Sequence, residues 1–198
     1  MTRIQTYLLN FHQSLRGLKY RLLSDCKHVE GIPIAHQPVQ LTGKGRIKFH
    51  REVHLGFYPS PFYLSGYIYI EARNNDSVIE IGDDVWMNNN TFLISAGPGI
   101  SIGKGSMLGV NCEIIDSDFH HTHPDKRKNG EPNTGRVVIG QNVLIGSNVK
   151  ILKGVQIGNH SIISNGSVVT RSFGENCLIY GNPAKGGLGL RDPADPNA

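Results

Sequence analysis

Residues 138–170 read VIGQNVLIGSNVKILKGVQIGNHSIISNGSVVT, and an aliphatic residue returns at every sixth position of this stretch. The repeated positions are Ile139, Ile145, Ile151, Ile157, Ile163 and Val169. A small residue stands four places after each of the first five, at Val143, Val149, Val155, Ser161 and Ser167. A period of six fits neither the face of an α-helix nor the alternation of a half-buried strand. It indicates a solenoid whose chain turns a corner every sixth residue.

Each six-residue side is expected to be a short strand, with its aliphatic residue inward and its small residue near the bend. Three sides close a triangular coil of about eighteen residues. Stacked coils are about 4.8 Å apart, so each backbone pairs with the coil above and below. The alternative, short strands of an ordinary β-sandwich, would need this unbroken run to arise by chance.

The same phase extends toward the N-terminus. It begins at Ile81, slips by three residues across 96–99 and resumes at Ile102. Cys112 occupies one of the small positions, so we expect an interior residue there rather than a nucleophile. The fold class predicted from these patterns is all-β.

The phase breaks between Ile114 and Ile139, where the sequence reads IDSDFHHTHPDKRKNGEPNTGRVV. We expect residues 115–138 to form a loop that protrudes from one corner. Long loops inside a regular scaffold are usually functional. This one holds His120, His121 and His123, three of the nine histidines in the chain.

The remaining segments give a predicted domain organisation. Residues 1–24 carry Ile4, Leu8, Phe11, Leu15, Leu18 and Leu22 at helical spacing and predict an amphipathic helix. That helix packs on the solenoid or on a neighbouring subunit, or else it rests on a membrane surface. Residues 25–64 are expected to be irregular, 65–175 to form the β-solenoid, and 176–198 to form a C-terminal segment with a mobile tail.

Composition limits the partners. A net charge of +4 with scattered basic residues disfavours nucleic acid as a partner. Three widely separated cysteines and the lack of a long apolar run predict a cytoplasmic protein. The inner face of the membrane is an alternative location if the N-terminal helix binds lipid.

The sixfold run, the His-bearing loop and the sequence Gly181-Asn182-Pro183-Ala184-Lys185 together resemble the hexapeptide-repeat acyltransferases. The resemblance covers roughly residues 65–186 and is strongest to maltose- and galactoside-type sugar O-acetyltransferases and their capsule and lipopolysaccharide relatives. It implies a left-handed parallel β-helix and a homotrimer with active sites in the clefts between subunits. It also implies acetyl-CoA as the donor.

The resemblance assigns roles to single residues. The catalytic base of the family falls on His120, with Asp116 and Asp118 as local carboxylates to orient it and a backbone carbonyl as the alternative. The acceptor-binding asparagine falls on Asn88, and Trp86 and His121 are expected beside it.

Residues expected to bind the coenzyme are Leu144, Ser147, Ser164, Asn165, Thr170, Arg171 and Lys185, with Arg171 near the nucleotide phosphates. Leu144 stands where the family usually has Trp, and Ser164-Asn165 stands in place of Gly-Ala. These departures concern the acceptor more than the chemistry.

An imidazole can take the proton of a sugar hydroxyl as its oxygen attacks the thioester. No cysteine lies in the loop, so direct transfer in a ternary complex is expected. Amino-sugar N-acetylation, chloramphenicol-type acetylation and a non-enzymatic binding solenoid remain alternatives. No metal is expected, because the His-x4-His pair of the β-helical zinc enzymes is missing.

Overall fold

The chain folds into twenty strands and one α-helix, α1 (Arg3–Leu22), in a computed structural model that describes residues 2–189. The strands are β1 (His28–Glu30), β2 (Ile34–Ala35), β3 (Val39–Thr42), β4 (Arg46–Phe49), β5 (His54–Leu55), β6 (Ile68–Ala72), β7 (Val78–Ile81), β8 (Trp86–Met87), β9 (Phe92–Ser95), β10 (Ile100–Ile102), β11 (Met107–Leu108), β12 (Glu113–Ile115), β13 (Val137–Ile139), β14 (Leu144–Ile145), β15 (Lys150–Ile151), β16 (Gln156–Ile157), β17 (Ile162–Ile163), β18 (Val168–Val169), β19 (Cys177–Gly181) and β20 (Ala184–Gly189).

Successive strands join three sheets in turn. Sheet A has the order β1-β4-β7-β10-β13-β16, and sheet C has the order β3-β6-β9-β12-β15-β18. Sheet B has the order β2-β5-β8-β11-β14-β17-β19-β20. Neighbours are parallel except β19 and β20, which form an antiparallel pair. The molecule is a left-handed parallel β-helix, and this fold prediction is confirmed.

The sixfold positions fill the interior as predicted. Their six side chains, from Ile139 to Val169, are each at most 2% exposed. The small residues near the bends are equally buried. The hydroxyl of Ser161 donates to the carbonyl of Gly174 at 3.0 Å, and that of Ser167 donates to the carbonyl of Ser164 at 2.7 Å. Both buried polar groups are thus satisfied.

The corner between sheets B and C needs left-handed backbone. Asn90, Asn111 and Asn148 stand there with φ of 60°, 58° and 59°. Asparagine tolerates this conformation better than most residues because its short side chain can bond locally. The amide of Asn90 donates to Asn111 at 2.9 Å, and that of Asn111 donates to Asn148 at 2.8 Å. This ladder holds three successive coils together.

Residues 25–64, expected to be irregular, are part of the β-helix. Strands β1 to β5 lie in the three sheets, and Ile47 pairs with Ile79 in register. Phe49 and Leu55 do keep the sixfold spacing, but residues 56–67 interrupt it within the same coil, between β5 and β6. The β-helix therefore starts at β1 rather than near residue 65.

The β-helix is flanked by a helix on its N-terminal side and by a hairpin on its C-terminal side. The N-terminal helix forms, and Thr2 and Gln5 close a capping box at its start. At the other end, β19 and β20 make a hairpin against sheet B. The rest of the predicted mobile tail, residues 190–198, lies outside the described residues. No helix among residues 2–189 combines the length and the apolar character needed to cross a bilayer.

Candidate active site

Four of the predicted coenzyme residues line one groove on sheet B and its corner with sheet C. Leu144, Ser147, Ser164 and Asn165 surround a cavity of about 500 Å³ together with Met107. Leu144 points outward from β14, in register with Met107 of β11, and about half of each side chain is exposed. The parallel pairing of these coils is what aligns residues that are far apart in the sequence.

Hydrogen bonds fix the floor of this groove. The carboxamide oxygen of Asn165 accepts from the backbone N–H of Ser147 at 2.7 Å. The hydroxyl of Ser147 accepts from the backbone N–H of Val110 at 3.3 Å. A Cβ atom at Gly146 would come within 2.3 Å of the Asn165 amide oxygen, so glycine is required where the coils approach. The groove is therefore rigid and partly polar.

A second, apolar cavity of about 270 Å³ adjoins the first. Trp86 and Asn88 line it, and both cavities share Met107 and Leu108. The indole of Trp86 stacks on the ring of His54, with centroids 3.7 Å apart. These contacts bring two of the three predicted acceptor residues next to the predicted coenzyme groove.

His120 lies in the loop between β12 and β13 and is exposed. Its Nδ1 is 3.3 Å from the carbonyl oxygen of Arg127. A carbonyl only accepts, so this contact requires the proton on Nδ1. In the neutral ring, Nε2 then carries a free lone pair, which is the form that a general base needs.

The other two histidines of the loop have the opposite arrangement. Nδ1 of His121 accepts from the backbone N–H of His123 at 3.0 Å. Nδ1 of His123 accepts from the N–H of Asp125 at 3.4 Å, capping the short 3₁₀ turn Pro124–Lys126. In a neutral ring these contacts put the proton on Nε2, which becomes a donor.

Asp116 does not orient His120, contrary to expectation. Its carboxylate is fully buried and accepts from the Ser95 hydroxyl at 2.7 Å. It also accepts from the backbone N–H groups of Ala96, Gly97 and Gly99 at 2.8, 3.0 and 2.8 Å. With four donors on its two oxygens, Asp116 holds a bend between coils instead.

Asp118 is also engaged elsewhere. Its carboxylate pairs with the Nζ of Lys153 at 2.7 Å and accepts from the amide of Asn133 at 3.3 Å. The hydrogen-bond partner of the His120 ring is the carbonyl of Arg127 rather than a carboxylate. Asp118 instead anchors the loop to the β-helix.

The remaining predicted coenzyme residues lie outside this groove. Thr170 and Arg171 follow β18, where the chain passes from sheet C to sheet A, and both are exposed. The loop that carries His120 leaves at that same corner. Lys185 lies in β20 opposite Tyr180. Within one chain the structure therefore does not bring His120 into the groove of Ser147 and Asn165.

Sequence reasoning missed Arg73 and Met107. The Arg73 guanidinium lies 4.8 Å from the ring centroid of Phe119 and donates to Glu71 at 2.7 Å. This hydrogen bond from Arg73 lowers the pKa of the Glu71 carboxyl, and the hydroxyl of Tyr69 assists. No sequence signal pointed to Arg73. Met107, however, occupies the same place in its coil as Trp86 and Leu144, and that register is readable from the sixfold phase.

Cys112 has the inert setting predicted for it. It is 1% exposed, and its sulfur lies 3.1 Å from the carbonyl of Gly146. Burial raises the pKa of the thiol to about 11. Among the residues that the structure describes, no three His, Cys, Asp or Glu side chains converge as ligands for a metal ion.

Comparison with known proteins identifies the repeat. Residues 136–171 match the family described as bacterial transferase hexapeptide (six repeats). A Klebsiella pneumoniae protein described as an uncharacterized 24.8 kDa protein in the cps region is 44% identical over 128 residues, covering 62% of this chain and 56% of that protein. The chain thus spans little more than half of this relative.

Two further relatives are named for an activity. The galactoside O-acetyltransferase of Escherichia coli (strain K12) is 31% identical over 140 residues, which cover 58% of this chain and 68% of that protein. The crystal structure of the polysialic acid O-acetyltransferase OatWY is 27% identical with a TM-score of 0.51, covering 82% of this chain and 83% of that one. The repeat, the fold and these relatives show that the chain belongs to the hexapeptide-repeat transferase family.

Proposed function

We propose that this protein transfers an acetyl group from acetyl-CoA to a hydroxyl group of a sugar, with His120 as the general base. The observation that carries the proposal is the contact of His120 Nδ1 with the carbonyl of Arg127. This contact leaves Nε2 of His120 as a hydrogen-bond acceptor, and the ring is exposed to solvent. The relative that is 31% identical over 140 residues is named as a galactoside O-acetyltransferase, which supports the choice of a sugar hydroxyl.

The groove on sheet B suits the donor. Ser147, Ser164 and Asn165 offer polar contacts for the pantetheine arm of acetyl-CoA, and Leu144 offers an apolar one. Arg171 is an exposed cation at a neighbouring corner and can serve the phosphates of the coenzyme. The donor supplies a thioester carbonyl as the electrophile.

His120 then moves one proton twice. Its Nε2 accepts the proton of the sugar hydroxyl as the sugar oxygen bonds to the acetyl carbon. The bond from that carbon to sulfur breaks, and the imidazolium returns the proton to the sulfur of coenzyme A. The carbonyl of Arg127 stabilises the charged ring, because it accepts a hydrogen bond from Nδ1–H throughout the reaction.

The working unit that this arrangement requires is an assembly of copies, which we take to be a homotrimer. The groove lies at the corner of sheets B and C, whereas His120 belongs to the corner of sheets C and A. A neighbouring copy can supply the loop that one chain cannot. The outward column of sheet B supports this, since Met107 and Leu144 lie on successive coils and are 52 and 48% exposed. Ile34, 44% exposed, belongs to the same column, with His54 and Trp86 between it and Met107.

The acceptor we favour is a sugar of a surface polysaccharide, or of its nucleotide- or lipid-linked precursor. Trp86 and Asn88 offer an apolar ring and an amide beside the donor groove, a pairing suited to a sugar. The cytoplasm is the proposed compartment, and all three cysteines are free.

A thiol-release assay with acetyl-CoA tests the reaction over free sugars, nucleotide sugars, oligosaccharides, amino sugars and chloramphenicol. We expect free coenzyme A to be released when the acceptor is a sugar hydroxyl. The product ester is identified by its mass and by its hydrolysis in mild base. Release only with amines would replace the proposal with N-acetylation. No release with any acceptor, despite coenzyme binding, would favour a binding solenoid.

A mixing experiment tests the shared site. Neither His120→Ala nor Ser164→Trp, which fills the groove, should be active alone. Co-expressed in equal amounts, they should regain roughly a quarter of wild-type activity, because some clefts then combine an intact loop with an intact groove. No recovery in assemblies shown to be mixed would place the whole site within one chain.

A further inference from the structure

The N-terminal helix is attached to the β-helix by its polar side. The amide of Gln13 donates to the carbonyl of Tyr63 at 2.8 Å, and the guanidinium of Arg16 donates to the same carbonyl at 2.9 Å and also to the carbonyl of Gly66. Tyr20 stacks on Tyr67 with centroids 4.4 Å apart. These contacts set the rotation of the helix about its own axis.

That rotation turns the apolar stripe away from the protein. Its six side chains are each between 53 and 76% exposed, namely Ile4, Leu8, Phe11, Leu15, Leu18 and Leu22. None of the residues in α1 is buried. A helix that only covered the solenoid would bury this stripe rather than its polar side.

The charged residues beside the stripe are all basic. Arg3, Lys19 and Arg21 lie on the flanks of the helix, and residues 3–24 contain neither Asp nor Glu. At 100° per residue, Lys19 falls on one side of the stripe, whereas Arg3 and Arg21 fall on the other. An apolar stripe with cations on both flanks complements a surface with an apolar interior and anionic groups above it.

The apolar surface continues beyond the helix. Leu8 of the stripe shares a surface groove with Tyr58 and Leu64. Together with Phe57 and Phe62, these loop residues are between 43 and 55% exposed. Tyrosine, here Tyr58, is favoured at the boundary between lipid and water because its ring is apolar and its hydroxyl is polar.

We propose that the helix lies flat on an anionic lipid surface, with its apolar stripe and the adjoining residues 57–64 in the interface. The charge pattern favours this occupant over a second copy packed stripe against stripe, because such a pair would bring the cations of both helices together with no acidic residue of α1 to offset them. The apolar column of sheet B, a separate surface, is the one suited to contact between copies. The proposal is independent of acetyl transfer.

Flotation of the full chain with vesicles tests it. The wild type should float with vesicles of phosphatidylcholine and phosphatidylglycerol and stay in solution with phosphatidylcholine alone. Replacing Phe11 and Leu15 together by Glu should lower binding at least about tenfold, because it removes apolar area and adds repulsion. Losing one cation weakens binding to anionic vesicles roughly fivefold. Lys19→Glu should weaken it further, because it also adds a negative charge. Tyr180→Glu, at the other end of the β-helix, should bind as the wild type.

The same samples test the competing occupant. Sedimentation of the Phe11→Glu, Leu15→Glu double variant should give the wild-type molecular mass, and its helical circular dichroism should be retained. A reduced mass, together with a wild type that does not float, would assign the stripe to a neighbouring copy and overturn the proposal. Equal flotation of the wild type with neutral and anionic vesicles would overturn its electrostatic basis.

Discussion

The Nζ atom of Lys153 lies 2.7 Å from a carboxylate oxygen of Asp118, and this ion pair joins the His120 loop to the corner after β15. Both side chains are 30% exposed, so the pair is only partly screened by water. On the opposite side, Arg73 contacts the ring of Phe119 next to His120. The loop that carries the proposed base is therefore held at its root from two directions.

Replacing Lys153 by Met should loosen this loop without unfolding the protein. We expect turnover to fall about tenfold, because small displacements of a catalytic group are costly. The free energy of unfolding should change by less than about 1 kcal/mol, as for other partly exposed ion pairs. Lys150→Met is the matched control, since Lys150 pairs with Glu113 of strand β12 rather than with a residue of the loop. Equal losses of turnover in the two variants would remove the anchoring role of Lys153.

Asp116→Asn should be strongly destabilising. The NH₂ group of the new asparagine would face one of the four N–H or O–H groups that now donate to the carboxylate. Two donors would then meet at a fully buried position. A loss of about 2–4 kcal/mol in denaturant unfolding is expected. The exposed Asp125→Asn should change stability by less than about 0.5 kcal/mol. A stable Asp116→Asn protein that has lost turnover would restore Asp116 as a partner of His120.

Cys112 should be unreactive. With its pKa raised to about 11, the thiol is almost entirely protonated at pH 8, and its side chain is buried. Iodoacetamide should modify Cys112 of the native protein only after unfolding, whereas the half-buried Cys177 serves as the internal comparison. Cys112→Ala should keep turnover per folded molecule. Rapid native labelling that abolishes turnover would revive a covalent route.

Glu71 should contribute to stability only while it is ionised. Its folded pKa is lowered by Arg73, so the stabilisation is present above the ordinary value of 4.5 and is lost as the pH falls through the folded pKa. Glu71→Gln should lower stability at pH 7 and flatten its decline in acid. The exposed Glu131→Gln is the control, measured by thermal unfolding across the acidic range. An unchanged acid decline in Glu71→Gln would contradict the assignment.

The sequence was sufficient where the fold repeats itself. Ile139, Ile145 and their successors specify both the solenoid and the inward face, because a period of six leaves no other regular structure. Residues 25–64 were not recognised as coils because a long loop separates Leu55 from Ile70 and Ala35 fills an inward-register position with only a methyl group. Periodicity needs several unbroken repeats before it can be read.

The site was predictable in composition but not in geometry. Leu144, Ser147, Ser164 and Asn165 lie together because residues eighteen or so apart stack on successive coils. Asp116 was misassigned because closeness to His120 in the chain does not reveal that its carboxylate turns back to bond Ala96, Gly97 and Gly99. The outward stripe of the helix could not be foreseen either, since a helical pattern does not tell which side is attached.

The most direct test of the central claim is the turnover of three single variants, His120→Ala, His121→Ala and His123→Ala, measured with acetyl-CoA and the accepted sugar. His120→Ala should lose about 10²- to 10⁴-fold in kcat with acetyl-CoA binding nearly unchanged, as expected for loss of a general base. The other two should lose about tenfold or less, because their Nδ1 atoms only hold the loop. Near-normal turnover in His120→Ala would contradict the account, whichever of the other histidines proved essential.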